Sequence, residues 1–183
     1  MALGDTNIIG DVTQTLKDLL IGLDVTLESP ATLPTGGEAD FKKLNLFLYQ
    51  VLENPHAKNQ PWLSPSSAVQ EYPPLAINLH YLLTPYAKDT ISAHQVLSHA
   101  MGILHDSSIV TGSQLAGALS VAVEQLAIVL CPMTLEELTR IWNALQSPYR
   151  LSVCYEVRIA AIRSEIRQSV PRVTQKIDAF EQI

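Results

Sequence analysis

The clearest pattern of hydrophobic and polar positions in the chain begins at Thr134. Large apolar side chains recur at the spacing of one helical face, at Leu135, Leu138, Ile141, Trp142 and Leu145. Thr134 and Glu137 have the T-x-x-E relation of a capping box, which predicts that this helix begins near Leu135. Pro148 forbids its continuation, because a proline ring clashes with the preceding turn and its nitrogen has no hydrogen to donate.

After Pro148 the hydrophobic period changes to two, which is typical of a β-strand. One side of this predicted strand is apolar and consists of Leu151, Val153, Tyr155, Val157 and Ile159. The other side carries small or polar residues, namely Ser152, Cys154, Glu156 and Arg158. The segment therefore predicts a helix, a break and a long strand with two different faces.

Two earlier segments predict a pair of antiparallel strands. Lys43–Leu52 is apolar on both faces, which predicts a central strand that is covered on each side. Leu75–Leu83 alternates more regularly, and we expect Pro85 to end it. The connection between them, Asn54–Pro74, holds five prolines and is typical of a binding loop or a disordered loop.

The remaining elements are shorter or less regular. Helices are predicted at Asn7–Ile21 and at Ile91–His105, the second with Thr90 as its N-terminal cap. Short strands are predicted at Asp24–Glu28 and Leu126–Leu130.

The order of these elements lacks a regular β-α-β alternation, which predicts an α+β fold. We expect an antiparallel or mixed sheet of four to five strands with about three packed helices. The segment Ser107–Glu124 fits a strand, a short helix or a mobile flap equally well. Residues 1–166 are predicted to form a single domain, and residues 167–183 form a polar tail and a candidate interaction arm.

The composition is apolar and poor in charge. Hydrophobic residues make up 47% of the chain and charged residues 16%, against about 25% charged residues in an average domain. We interpret this as a surface that is partly covered by other protein chains. The net charge of −6 and the scattered lysines and arginines argue against nucleic acid as a partner, because binding to phosphates requires clustered cations.

Signals for membrane insertion and for secretion are missing from the sequence. No window reaches about 18 uninterrupted apolar residues, and the N-terminal segment MALGDTNIIGDV has no basic region ahead of an apolar core. We therefore expect no direct membrane insertion, with folding and assembly in the cytoplasm. Cys131 and Cys154 are too few for a disulfide framework and are expected to be buried free thiols rather than a bridge.

The motifs of catalysis and of cofactor binding are also missing. His94 and His99 lie about 140° apart around their predicted helix, so they cannot ligate one ion together. His56 and His80 have no Cys, Asp or Glu at ligand spacing, which predicts no metal site. There is no G-x-S-x-G nucleophile elbow and no phosphate-binding loop. We expect no enzymatic activity, no catalytic residue and no cofactor.

Polar and aromatic residues on the strands and in the proline-rich loop are candidates for an interface. Asn78, His80, Glu156 and Arg158 project from the strand faces opposite the large aliphatic rows, where they form either a solvated face or a contact between subunits. Trp62 and Tyr72 are candidate contact residues, because aromatic anchors are enriched at interfaces. The alternative for Trp62 is that it covers the edge of its own core.

Three long segments resemble one protein family. They are LNLFLYQVLENPHAKN at Leu44–Asn59, PPLAINLHYLLTPYAKD at Pro73–Asp89 and LTRIWNALQSPYRLSVCYEVRIAAI at Leu138–Ile162. In this order they resemble the tail-terminator, or cap, proteins of contractile injection systems of the antifeeding-prophage and virulence-cassette type. The resemblance covers roughly Val12 to Ile166.

The resemblance implies a structural role. Family members are expected to form a six-fold ring of identical subunits on the end of the inner tube and the last sheath layer. The implied partners are further copies of the chain, the inner tube protein and the sheath protein, whose arm is expected to add to an exposed strand edge. The alternatives are a baseplate or tube-adaptor component of the same machine, or a small-molecule-binding α+β domain.

Overall fold

The computed structural model describes residues 7–33, 42–58, 60–66, 69–123, 125–162 and 166–169. Within these residues the α-helices are α1 (Ile8–Leu19), α2 (Thr90–Asp106), α3 (Leu119–Ala122) and α4 (Leu135–Ala144). The strands are β1 (Val25–Thr26), β2 (Lys42–Glu53), β3 (Leu63–Ser66), β4 (Val69–Glu71), β5 (Leu75–Ala87), β6 (Ile109–Thr111), β7 (Gln125–Cys131), β8 (Val153–Ile162) and β9 (Arg167–Ser169).

In the described part of the chain, six strands form the main sheet in the order β1-β2-β5-β8-β7-β6. The pairing of β1 with β2 is parallel and the other pairings are antiparallel, so the sheet is mixed. The strands β3, β4 and β9 form a second, small antiparallel sheet. The predicted α+β class and the predicted antiparallel pairing of β2 with β5 are confirmed.

The number of strands differs from the prediction of four to five. The sixth strand of the main sheet is β6, which lies in the segment that the sequence pattern left open between a strand, a helix and a flap. The same segment also contains α3. The three-stranded sheet was not predicted, because two of its strands lie in the proline-rich connection and the third lies in the polar tail. The rest of that tail, residues 170–183, lies outside the described residues.

β5 continues through Pro85 to Ala87, although we expected the proline to end it. Pro85 lies opposite Leu44, whose N–H group bonds outward to Asp24 O at 2.9 Å. This pair therefore exchanges no hydrogen bonds between β2 and β5, and the nitrogen of Pro85 points to the opposite side of β5. On that side β8 reaches only as far as Val153, opposite Leu83, so the missing N–H group of the proline breaks no ladder bond.

The helices cover the two faces of the main sheet unequally. One face packs against α1, α2 and α3 in the main core, which includes Val12, Leu16, Leu97, Leu104 and Leu119. Among the described helices, α4 packs against the other face, through Leu82 of β5 and Leu138 and Trp142 of the helix. The part of this second face that α4 leaves uncovered, on strands β2, β5, β8 and β7, is called the open face below.

Local signals account for the ends of the helices. The capping box of α4 is confirmed, since the N–H of Glu137 donates to Thr134 Oγ1 and the N–H of Thr134 donates to Glu137 Oε2. The cap of α2 is Asp89 rather than the predicted Thr90, because Asp89 Oδ1 accepts the N–H of Ser92 at 2.9 Å. None of the helices in the described residues has the length and the hydropathy that crossing a membrane requires.

Candidate interaction surfaces

The open face carries the four polar residues that the sequence pattern grouped. Strand register places Asn78 of β5 opposite Arg158 of β8, and His80 opposite Glu156. Asn78 Nδ2 donates to Glu156 Oε1 at 2.6 Å, and Arg158 Nε donates to the same oxygen at 2.9 Å. The structure therefore brings these four residues together on two adjacent strands.

Their exposure shows which of them can reach another molecule. The side chain of Glu156 is only 15% exposed and is bound by its two donors, whereas that of Arg158 is 52% exposed. The hydrogen bond with Glu156 raises the pKa of the Arg158 guanidinium, which stays charged throughout the physiological range. Arg158 is thus the charged group that this cluster presents to solvent, while Asn78 and Glu156 hold it in place.

Apolar side chains lie on both sides of this polar centre. The row that contains Asn78 and Arg158 continues to Leu52 of β2 and, through Ala127, to Ile109 of β6. Leu52 and Ile109 are both exposed. Exposed apolar side chains therefore lie on both sides of the charged group that Arg158 presents.

A group of sulfur and imidazole side chains occupies the next part of the open face. Cys131 of β7 lies directly opposite Cys154 of β8, and ligand atoms of these two residues and of His80 lie within 4.8 Å of one another. The hydroxyl of Tyr49 shares a hydrogen bond of 3.0 Å with Cys154 Sγ. Sequence spacing predicted no metal ligands around His80, and the strand order brings together three groups that are far apart in the sequence.

The environment of Cys154 makes its thiol a poor nucleophile. Burial raises the pKa of this thiol to about 12, so it stays protonated at neutral pH. Both cysteines are free thiols, as predicted, but only Cys154 is buried, whereas Cys131 is partly exposed.

Trp62 and Tyr72 form a second candidate surface, on the small sheet. Their rings make an edge-to-face contact with centroids 5.5 Å apart and planes at 85°. Both side chains are exposed, Trp62 at 38% and Tyr72 at 49%. Further exposed apolar residues lie nearby: Val51 on β2, Leu63 on β3, Leu75 on β5 and Ile166 directly before β9. These residues together with Trp62 and Tyr72 are called the apolar end.

The outer edge of β2 is a third feature of the surface. Within the described residues, β1 pairs only with Leu44 and Asn45 of this twelve-residue strand. The edge from Leu46 to Glu53 faces away from β5 without a partner strand in the described part of the chain. Such an edge presents backbone N–H and C=O groups on which another extended chain can pair.

Comparison with known proteins identifies the family and the fold of the chain. The chain matches the model of the Pvc16 N-terminal domain family over residues 7–176. No curated protein sequence matches the chain.

Two structures solved by cryo-electron microscopy share the fold. One is the PVC sheath/tube terminator in extended state, from an extracellular contractile injection system. It matches with a TM-score of 0.68 and 20% sequence identity, and the match covers 98% of this chain and 65% of that chain. The other is the tube-terminating cap of the anti-feeding prophage, with a TM-score of 0.65 and 17% identity, over 96% of this chain and 61% of that chain. This chain therefore spans less than two thirds of the length of either protein.

The family match covers most of the chain, and the two structures show the same fold over nearly all of it. The resemblance to tail-terminator proteins that the three sequence segments predicted is confirmed at the level of family and fold. The chain belongs to the Pvc16 N-terminal domain family.

Proposed function

We propose that this chain is a structural cap of a contractile injection system, which ends the inner tube and the sheath and couples the two. The observation that carries the proposal is the family match over residues 7–176, together with a fold shared with a sheath/tube terminator and with a tube-terminating cap. The charge-poor composition and the exposed apolar side chains fit a protein that is covered by partners.

The cap is proposed to be a closed ring, with six copies as the resemblance implies. A ring of identical subunits closes only when each subunit presents two different, complementary patches. The open face and the apolar end are two such patches on one subunit, the first with Arg158 at its centre and the second built around Trp62 and Tyr72. We propose that these two patches meet each other between neighbouring copies, and the point variants below test this.

The outer edge of β2 is the proposed docking place for an arm of the sheath protein. Val51 lies in a pair with Leu79 that exchanges no hydrogen bonds across to β5, because the N–H of Asn54 donates to Ala76 O and the ladder alternates. The N–H group of Val51 therefore points outward. Val51→Pro removes this donor without removing a bond to β5, and Val51→Ala is the matched control that keeps it.

The proposed role is mechanical rather than enzymatic. The Glu156 carboxylate is bound by Asn78 and Arg158, an arrangement that suits the positioning of Arg158. Assembly in the cytoplasm, followed by a place in the finished particle, is part of the same proposal.

The central experiment measures the length of injection particles by negative-stain electron microscopy, with and without this protein. Loss of a cap should give particles of uncontrolled or unstable length, and restoring the protein should return a single length. Loss of a baseplate component would instead give no particles or blunt ends. Particles that end normally without the protein would overturn the proposal.

Point variants then assign the patches. The double variant Trp62→Ala with Tyr72→Ala, the variant Arg158→Ala and the variant Val51→Pro are each expected to reduce recovery of capped particles while the isolated chain stays folded. Tyr149→Ala changes an exposed aromatic residue outside these surfaces and serves as the control. Symmetry-averaged images of the particle end count the copies in the ring.

A further inference from the structure

The sulfur and imidazole group on the open face has the composition of a site for a thiophilic metal ion. Cys131 and Cys154 face each other across β7 and β8, and His80 lies diagonally opposite Cys154 on β5. One ligand atom from each of these residues lies within 4.8 Å of the other two. Three adjacent strands thus supply two sulfur donors and one nitrogen donor to a single point.

His80 gives the second, independent observation. Its side chain is buried at 9% exposure, and its Nε2 atom finds no hydrogen-bond partner among the described residues. A buried imidazole nitrogen without a partner costs free energy, since the hydrogen bond that it made with water is lost and not replaced. Coordination of a metal ion would satisfy a nitrogen of this ring.

We propose that His80, Cys131 and Cys154 bind a single Zn²⁺ ion. Binding of the ion displaces the two thiol protons to solvent. The resulting two thiolates and one imidazole are ligands that Zn²⁺ prefers, with bonds of about 2.3 Å to sulfur and about 2.0 Å to nitrogen. Because the ligand atoms now lie within 4.8 Å of one another, bringing them to these bond lengths takes shifts of about 1 Å in their positions. Cys131 is half-buried, so a water molecule can take the fourth position from that side.

Tyr49 and Glu156 support the site from outside the ligand set. The Tyr49 hydroxyl lies 3.0 Å from Cys154 Sγ, where it can donate a hydrogen bond to the thiolate that a metal requires. The Glu156 carboxylate lies two residues along the same strand and adds negative charge near the proposed cation. The bound ion would join β5, β8 and β7.

The first test uses the purified full chain, kept under a reducing agent that does not bind metal. Co²⁺ is added as a spectroscopic substitute for Zn²⁺, and absorption is followed in the near-ultraviolet, where thiolate-to-metal charge transfer appears. Zn²⁺ content after dialysis is measured by plasma mass spectrometry. We expect a charge-transfer band with Co²⁺ that Zn²⁺ abolishes, and one Zn²⁺ per chain.

Variants identify the ligands. Tyr49→Phe removes an outer hydrogen-bond partner and should weaken Zn²⁺ affinity by roughly 10–100-fold. Cys131→Ser and His80→Gln each remove a ligand and should weaken the affinity by more than that. His99→Gln, on the exposed side of α2, is the matched histidine control and should bind Zn²⁺ as the wild type does. Cys131 is closer to the surface than Cys154, so its replacement disturbs packing least.

Three outcomes overturn the proposal, and the first two need no variant to fold. One is a wild-type chain without the Co²⁺ thiolate band. The second is a wild-type chain that forms a Cys131–Cys154 disulfide in preference to binding Zn²⁺ under the reducing conditions, seen as a loss of two hydrogens by intact mass. The third is unchanged Zn²⁺ affinity in the folded His80→Gln or Cys131→Ser variant.

Discussion

Asn78 and Glu156 are joined across β5 and β8 by a hydrogen bond of 2.6 Å from Nδ2 to Oε1. Asn78 is buried, and its Oδ1 atom has no hydrogen-bond partner among the described residues. The carboxylate of Glu156 is therefore the identified partner of this amide, and it also holds Arg158 at 2.9 Å. One carboxylate thus accepts from the donor group of a buried amide and orients an exposed cation.

Glu156→Ala is expected to destabilise the protein by about 1–3 kcal/mol, because it leaves a buried amide donor unsatisfied. The measurement is the free energy of unfolding from denaturant titration. Glu136→Ala is the matched control, since the ion pair of Glu136 with Arg140 is exposed and should contribute less than about 0.5 kcal/mol. Equal effects of the two changes would show that the Asn78–Glu156 bond contributes nothing beyond an ordinary surface pair.

Trp142 anchors α4 to the sheet. Its side chain is 1% exposed, packs against Leu82 and donates from Nε1 to Ser152 Oγ at 3.2 Å. Trp142→Ala should cost about 3–5 kcal/mol, as expected for a large buried side chain. Leu135→Ala on the same helix removes a side chain that is 65% exposed and should change the free energy of unfolding by less than about 0.5 kcal/mol. Thermal unfolding of the two variants side by side checks the difference.

Gly117 requires the absence of a side chain for two reasons. Its φ angle is +55°, and a Cβ atom there would lie 2.5 Å from Oδ2 of Asp11, the oxygen that accepts the N–H of Ala118. Gly117→Ala should therefore destabilise the chain by about 1–3 kcal/mol.

Gly102 is the matched control for this change, because it lies within α2 and a Cβ atom there meets nothing within 4 Å. Gly102→Ala should stabilise the chain by about 0.5–1 kcal/mol, through the higher helix propensity of alanine. The two alanine variants should thus differ in the sign of their effect on the midpoint of denaturant unfolding, and a shared sign would contradict the account.

Through Glu137, the stability that the capping box contributes is expected to depend on pH. Hydrogen bonds from the backbone and the hydroxyl of Thr134 hold the pKa of the Glu137 carboxyl below its ordinary value of 4.5. A group whose pKa is depressed by folding adds stability that is fully present above 4.5 and is lost as the pH falls through the folded pKa.

The test compares wild type with Glu137→Gln, which keeps an acceptor for the capping box but does not titrate. The difference in their free energies of unfolding should be largest near neutral pH and should shrink as the pH is lowered below 4.5. A difference that stays constant over this range would show that the Glu137 charge does not stabilise the helix.

The helix α4 and the strand β8 could be predicted well because their signals are local. A capping box, a helical stripe and a proline lie within a few residues of one another, and each acts on the backbone beside it. The C-terminal end of β5 could not be predicted in the same way. Whether Pro85 ends the strand depends on how far β8 extends along it, and that is a property of the sheet.

The candidate surfaces were predictable to different degrees. The alternation of polar residues placed Asn78, Glu156 and Arg158 on one face, and register then brought them together. The meeting of His80 with Cys131 and Cys154 depends on β8 lying between β5 and β7, which no spacing in the sequence reveals. The small sheet was missed because its strands are short and pair over long sequence separations.

The outer edge of β2, which has no partner strand beyond Asn45 among the described residues, has a consequence for how the protein must be produced. Backbone N–H and C=O groups along an exposed strand edge can pair with any extended polypeptide, including a second copy of this chain. Expression of this protein before its partner proteins are present would therefore favour aggregation over assembly into particles. Co-expression with the segment that pairs with this edge should reduce the aggregation.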